Sequence, residues 1–170
     1  LRVKPPGNPN VWFSDRFEDY SREGYIPLIS WGIGSGLDGP LAVPGSYTVK
    51  LSVGDEVLTK TVEVRKDPHT EGTVDDIQAQ VTTALAIRDD INTVVDSINR
   101  IEWVRRQIHD LIELMESDSG DEAIVTAAKE LDEKIVAVDS HYFQPILAEG
   151  DLKSFRAPNK LYSQLAVLAG

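Results

Sequence analysis

The sequence predicts an α+β chain in two modules: a small antiparallel β-sandwich over residues 1–67, then an antiparallel helical bundle over residues 73–170 containing one very long helix. Three observations predict it. Tyr47, Val49, Leu51 and Val53 alternate with Thr48, Lys50 and Ser52, the period of a strand with one buried and one wet face. Asp67-Pro68 then stops the strand region, because the residue before Pro is held extended and Pro cannot donate a hydrogen bond. From Val74 to Ser117 there is no Pro or Gly, and apolar residues recur in steps of three, four and seven.

The first 45 residues show little periodicity. Val11-Trp12-Phe13 reads as a short strand, residues 15–24 as a polar surface excursion, and residues 25–33 as a strand that Pro27 confines to an edge or a strand start. Four glycines in nine residues (GIGSGLDGP) read as a loop. This is no phosphate loop, since neither the dinucleotide fingerprint nor GxxxxGK[ST] is present and no helix follows. Pro44-Gly45 marks a turn. Gly54-Asp55 suits a tight hairpin, and the return strand offers Leu58, Val62 and Val64 as its inward set. Two strands cannot bury a face alone, so the earlier segments are expected to complete the sandwich.

Thr73 with Asp76 is a capping-box start for the long helix, whose stripe runs through Ile77, Val81, Ala84, Ile91, Val95, Ile98, Ile101, Val104, Ile108, Leu111 and Met115. Unbroken, that helix is about 65 Å long. Ser119 with Glu122 suggests a second cap, and Ile124, Ala128, Leu131, Ile135, Val138 and Tyr142 form a bundle seam. Pro145 should kink or end that helix, and Pro158 opens a third with Leu161, Leu165 and Leu168. Ile91, Ile98, Leu131, Ile135 and Leu165 are the expected bundle core; Tyr47, Leu51, Val62 and Val64 that of the sandwich. The second helix, at about 38 Å, and the third, at about 18 Å, are shorter than the first. Part of the long helix must therefore be covered by the sandwich, by a second chain as a helical homodimer, or by residues beyond position 170. A bundle truncated at its C-terminus is the preferred reading. The chain also starts without an initiator Met and is expected to be a piece of something longer.

The net charge of −11 is unevenly placed: residues 1–66 carry eight basic and eight acidic residues, residues 67–170 nine and twenty. An acidic surface repels phosphate backbones, so nucleic acid is a poor partner. No apolar run approaches the roughly 18 residues of a membrane span, so no membrane insertion is expected. Cysteine is absent, which removes disulfide and thiolate chemistry.

No catalytic, cofactor or metal site is assigned. His69, His109 and His141 lack ligand spacing, and no nucleophile motif is present. Asp15, Glu18, Asp19 and Glu23 sit in a polar excursion, where solvation explains them better than a glycosidase pair. The aromatic residues Trp12, Phe13, Phe17, Tyr20, Tyr25 and Trp31 crowd the first 31 residues. Buried, they plug a small core; exposed, Trp12, Tyr25 and Trp31 would form a platform for stacking on sugar rings.

The stretch GPLAVPGSYTVKLSVGDEVLTKTVEVRKDP, followed by a long helix, resembles the C-terminal region of bacterial sortilin-like or sialidase-like (BNR-repeat) glycosyl hydrolase family proteins. Pro44, Gly45, Tyr47, Val49 and Leu51 match its PG-x-Y-x-V-x-L strand, and Val64, Asp67 and Pro68 its exit. The resemblance implies an immunoglobulin-like or fibronectin-like sandwich, lacking one strand upstream of residue 1, then helices that close the chain. It also implies a secreted or cell-envelope location and a β-propeller in the parent protein as partner. The Asp-box motif of that propeller is absent here, so no catalytic residue carries over. The expected function is a non-catalytic accessory module that packs on or spaces the propeller or mediates assembly; the alternative is a carbohydrate-binding module.

Overall fold

The structure, a computed structural model, describes residues 2–7, 10–12, 25–27, 39–117, 120–144 and 157–169, with 10–12 and 25–27 as backbone. Its elements are β1 (Asn10–Trp12), β2 (Tyr25–Pro27), β3 (Gly45–Val53), β4 (Glu56–Val64), α1 (Val74–Ser117), α2 (Glu122–Asp139) and α3 (Leu161–Ala169).

The strands form two separate antiparallel ladders, β1 with β2 and β3 with β4. The expected immunoglobulin-like sandwich is therefore corrected: among the described residues the two ladders do not stack into paired sheets. The physical reason lies in the lengths and in what each ladder meets. β1 and β2 share only three residue pairs, and β1 packs on α1 rather than on the hairpin. The β3–β4 ladder has nine pairs, from Gly45↔Val64 to Val53↔Glu56. It closes through Gly54, whose φ of +57° lies in the left-handed region that a Cβ disfavours. At its base the Tyr47 hydroxyl donates to the Val43 carbonyl at 2.6 Å.

Helix α1 starts where the capping box places it. The Thr73 amide donates to Asp76 Oδ2 at 2.8 Å, and the Asp76 amide returns a bond to Thr73 Oγ1 at 3.1 Å. These bonds satisfy two amides that the first helical turn leaves without partners. Asp76 Oδ2 also accepts from Thr73 Oγ1 at 2.7 Å, and that side-chain bond first, then the bond from the Thr73 amide, hold the carboxyl below the usual carboxylate range. Forty-four residues then run without a break. The cap of α2 is Asp121, whose side chain accepts from the Ala123 amide at 2.8 Å; the Ser119 expected there lies outside the described residues. Helix α2 ends at Asp139, well before Pro145, with Ser140 bonding back to Val136. It is thus 18 residues long, and α3 only nine.

The expected bundle is corrected as well. α2 runs antiparallel to the C-terminal half of α1, pairing Lys129 with Glu116 and Asp132 with Arg105. The chain then turns through Tyr142 and Phe143, and α3 continues along the N-terminal half of α1. Among the described residues, two short helices laid end to end along one long helix make a layer two helices thick, without a shared central core. Burial is accordingly split. One cluster holds Ile91, Val94, Val95, Ile98, Phe143 and Tyr162; the other holds Ile108, Ile112 and Ala128. Leu131, an expected core residue, is 48% exposed, and on α3 Leu161 and Leu168 face out while Tyr162 and Ala166 are buried. Burial raises the Tyr162 hydroxyl above its ordinary pKa.

The N-terminal segment crosses to these helices. The Val3 amide donates to the Pro40 carbonyl at 2.7 Å, Arg2 bridges to Leu41, and the Gly7 amide donates to Asn92 Oδ1 at 2.8 Å. Buried Gly39 makes the close approach possible, since a Cβ there would stand 1.8 Å from the Val3 carbonyl oxygen.

Candidate interaction surface

Alternation along β3 and β4 sorts the hairpin's side chains onto two faces. Ser46, Thr48, Lys50 and Ser52 share one face with their partners Glu63, Thr61, Thr59 and Val57. The other face carries Tyr47, Val49, Leu51 and Val53, opposite Val62, Lys60, Leu58 and Glu56. The pattern is that of a strand pair with a buried apolar side. Yet Leu51 is 56% exposed, Leu58 63% and Val53 65%. Of the expected sandwich core, Leu51 and Val62 are exposed and Tyr47 and Val64 half-buried, and no other described element packs extensively on this face. The face is about 30 Å long at roughly 3.4 Å per residue, and about 10 Å wide for two strands. At the hairpin's base a cavity of about 460 Å³ lies against α1, with Arg2, Leu41, Val64, Lys66 and Val81 among its walls.

A second group of polar side chains lies between α1 and α2. Arg105, 1% exposed, forks onto Asp132: Nε donates to Oδ1 at 2.8 Å and Nη2 to Oδ2 at 3.1 Å. Nη1 also meets Glu102 Oε1 at 3.4 Å, and that glutamate is fully buried. His109 Nε2 lies 3.0 Å from Asp132 Oδ2; an ionised carboxylate only accepts, so Nε2 carries the proton. Burial pushes the Asp132 carboxyl up, but the hydrogen bonds and positive charge of Arg105 and His109 outweigh it and hold the group below the usual range. An open groove of about 900 Å³ borders this cluster and carries Asp110, Glu113, Glu116 and Glu133. Its geometry is that of an ion-paired helix contact, with every named carboxylate or cation facing a partner or solvent. A charge cluster inside a helix pair leaves no pattern that the sequence could have displayed, because Glu102 and Arg105 resemble any i, i+3 surface pair.

The residues considered for chemistry fall elsewhere. Register sets Trp12 directly opposite Tyr25 on β1 and β2. Trp31, the third proposed sugar-stacking residue, lies outside the described residues, as do Phe13, Phe17, Tyr20, Asp15, Glu18, Asp19 and Glu23. His69 sits in the turn after β4, its amide bonded to Asp67 Oδ1, and His141 Nδ1 lies 2.9 Å from the Ala137 carbonyl at the end of α2. The three histidines are not brought together, and among the described residues no group of three potential ligands converges. Trp103 stands 63% exposed on the side of α1 turned away from α2. No helix among the described residues is long and apolar enough to cross a membrane. No protein-family model, curated protein or solved structure matches the chain.

Proposed function

We propose that this chain is a non-catalytic accessory module of a secreted sialidase-like (BNR-repeat) protein, and that the β3–β4 hairpin is the arm by which it docks on the parent protein's propeller. The observation that carries the reading is the hairpin's apolar face, with Val49, Leu51, Val53, Leu58 and Val62 all exposed. This strip is continuous along β3 and interrupted on β4 by Lys60 and Glu56, and exposed apolar patches of this size are often contact surfaces. Its size selects the kind of cover. About 300 Å² on each side falls well short of the roughly 800 Å² per partner of a free-standing complex. It approaches the low end of contacts between domains of one polypeptide, where the tether supplies the effective concentration.

The test supplies the propeller on the same polypeptide and follows backbone hydrogen exchange across residues 45–64. Protection there relative to the isolated 170-residue chain, lost in Leu51→Lys/Leu58→Lys, supports docking; equal exchange in both forms rejects it. A parent polypeptide without Asp-box repeats rejects the family assignment itself. A second reading, carbohydrate binding, draws support from the register that sets Trp12 opposite Tyr25. It requires retention on a glycan matrix that Trp12→Ala abolishes.

A further inference from the structure

We infer that the open side of the α1–α2 pair is a self-association surface, on which two copies of this chain form a four-helix bundle. The argument starts from seam positions. On α1, Ile101, Val104, Ile108, Leu111 and Met115 alternate steps of three and four; on α2, Ile124, Ala128, Leu131, Ile135 and Val138 do the same. That spacing is the a/d repeat by which helices pack in bundles. The contact between α1 and α2 uses half of each seam: Ile108 and Ala128 are buried in it, with Ile135 packed beside them. The other half is left in solvent. Val104 and Leu111 are each 40% exposed, and Ile124, Leu131 and Val138 are more exposed still.

At 100° per residue the two exposed half-seams fall on the same side of the antiparallel pair. Val104 and Leu111 lie about 100° from the α2-facing line of α1, and Leu131 and Val138 lie about 80° from the α1-facing line of α2. The acidic groove with Asp110, Glu113 and Glu133 occupies the opposite side. Bordering the apolar side by the same rotation are Ser97, Arg100 and Lys134, with Asp96 the carboxylate at its edge, in the depression it shares with Ser97, Arg100 and Ile101. Charge therefore selects this face for like-with-like contact. Two chains of net charge −11 repel one another, and here they can meet without apposing carboxylates at the centre of the contact. An interface core depleted of charge and rich in aliphatic residues is also the usual composition.

The area is that of a weak self-association, below the roughly 800 Å² per partner of a stable free-standing complex. Helix α2 is about 27 Å long, and two helices side by side span about 20 Å, so the face covers roughly 500 Å² per copy. Counted on both copies this reaches the roughly 1,000 Å² below which specific interfaces are rare. A two-fold axis through the face brings each exposed half-seam against its counterpart and completes the four-layered a/d geometry. The surface lies on different elements from the hairpin, so either assignment can fail without the other.

Sedimentation velocity of the 170-residue chain across a micromolar concentration series is the test. The expected result is a concentration-dependent species of twice 18.8 kDa. Leu111→Glu/Leu131→Glu is expected to weaken the association at least about a hundredfold, because each copy then places unpaired carboxylates in the interface. Its far-UV circular dichroism should be unchanged. A wild-type chain that stays monomeric throughout overturns the inference, and so does a dimer that survives the double substitution but is lost in Leu51→Lys/Leu58→Lys. Should the double variant unfold, Leu131→Cys gives a chain with a single thiol, since cysteine is otherwise absent. Cross-linking of that variant by a short bismaleimide, with none for Lys50→Cys on the hairpin, supports the surface; the reverse pattern rejects it.

Discussion

Replacing Asp132 by Asn tests the ion pair that joins α1 to α2. The carboxylate accepts two hydrogen bonds from Arg105 and one from His109. An Asn side chain offers one oxygen, and its amide group must face either a guanidinium N–H or the His109 N–H, donor against donor. Arg105 is 1% exposed, so water cannot replace the lost oxygen. Glu102 Oε1 stays beside Arg105 at the longer distance of 3.4 Å. Removing one partner of a buried ion pair costs about 3 to 5 kcal/mol. Glu102 remains and the Asp132 side chain is 15% exposed, which places the expected loss near the lower end, about 3 kcal/mol. For a chain of this length that lowers Tm by roughly 6 to 12 °C. Thermal melts followed by circular dichroism at neutral pH measure it. A loss below about 1 kcal/mol, the range of an exposed ion pair, would refute the reasoning. The exposed Arg106–Asp110 pair on the same groove provides that reference through Asp110→Asn. The pH dependence adds a check on sign. The folded-state pKa of Asp132 is depressed, so the unfolded chain binds more protons in acid. The stabilisation is complete above the unfolded value of about 3.9 and is lost as pH falls through the folded pKa. The gap between wild type and variant should therefore close in acid; a gap that persists at the acid end would count against the pairing.

Ile98→Ala empties a fully buried position in the cluster that holds Phe143 and Tyr162 and is expected to cost about 2 to 5 kcal/mol, read from the urea midpoint. Gly39→Ala drives a Cβ into the Val3 backbone, so the segment should detach, with hydrogen-exchange protection lost at the Val3 and Gly7 amides while α1 and α2 keep theirs. Thr73→Ala removes the capping hydroxyl of α1 and should speed exchange of the Asp76 amide about fivefold, leaving residues 91–112 unaffected.

Local chemistry made several elements legible in advance. Residues 74–117 contain no helix breaker, and Thr73 and Asp76 form a box that needs only neighbours in sequence, so both ends of α1 follow from the chain itself. The hairpin was equally local, since Gly54 and flanking alternation specify a turn between two strands, while the nine-pair register came from the structure. Leu131 and Leu51 show where this kind of reading stops. Their apolar character and spacing mark a face that wants cover, but the same pattern arises whether the cover belongs to the chain or to a partner. Phe143, fully buried, was missed because it lies in a turn with no periodicity to expose it. Of the proposed sugar-binding residues, Trp12 and Tyr25 were recognisable only as types, and their pairing across β1 and β2 depends on a register that three residues do not announce.

Local sequence thus set the kinds of element, a hairpin before Pro68, one long helix and shorter helices after it, but not the nine-residue strands or the 18-residue length of α2. Tertiary structure alone decided what each apolar face meets. α2 and α3 lie end to end on one side of α1, β1 joins that layer, and the apolar faces of the hairpin and of the α1–α2 pair stay open. The division has a physical origin. Turns, caps and helical periodicity arise from hydrogen bonds and sterics within a few residues, whereas hydrophobic burial is non-directional and is satisfied by whichever surface the folded chain brings near.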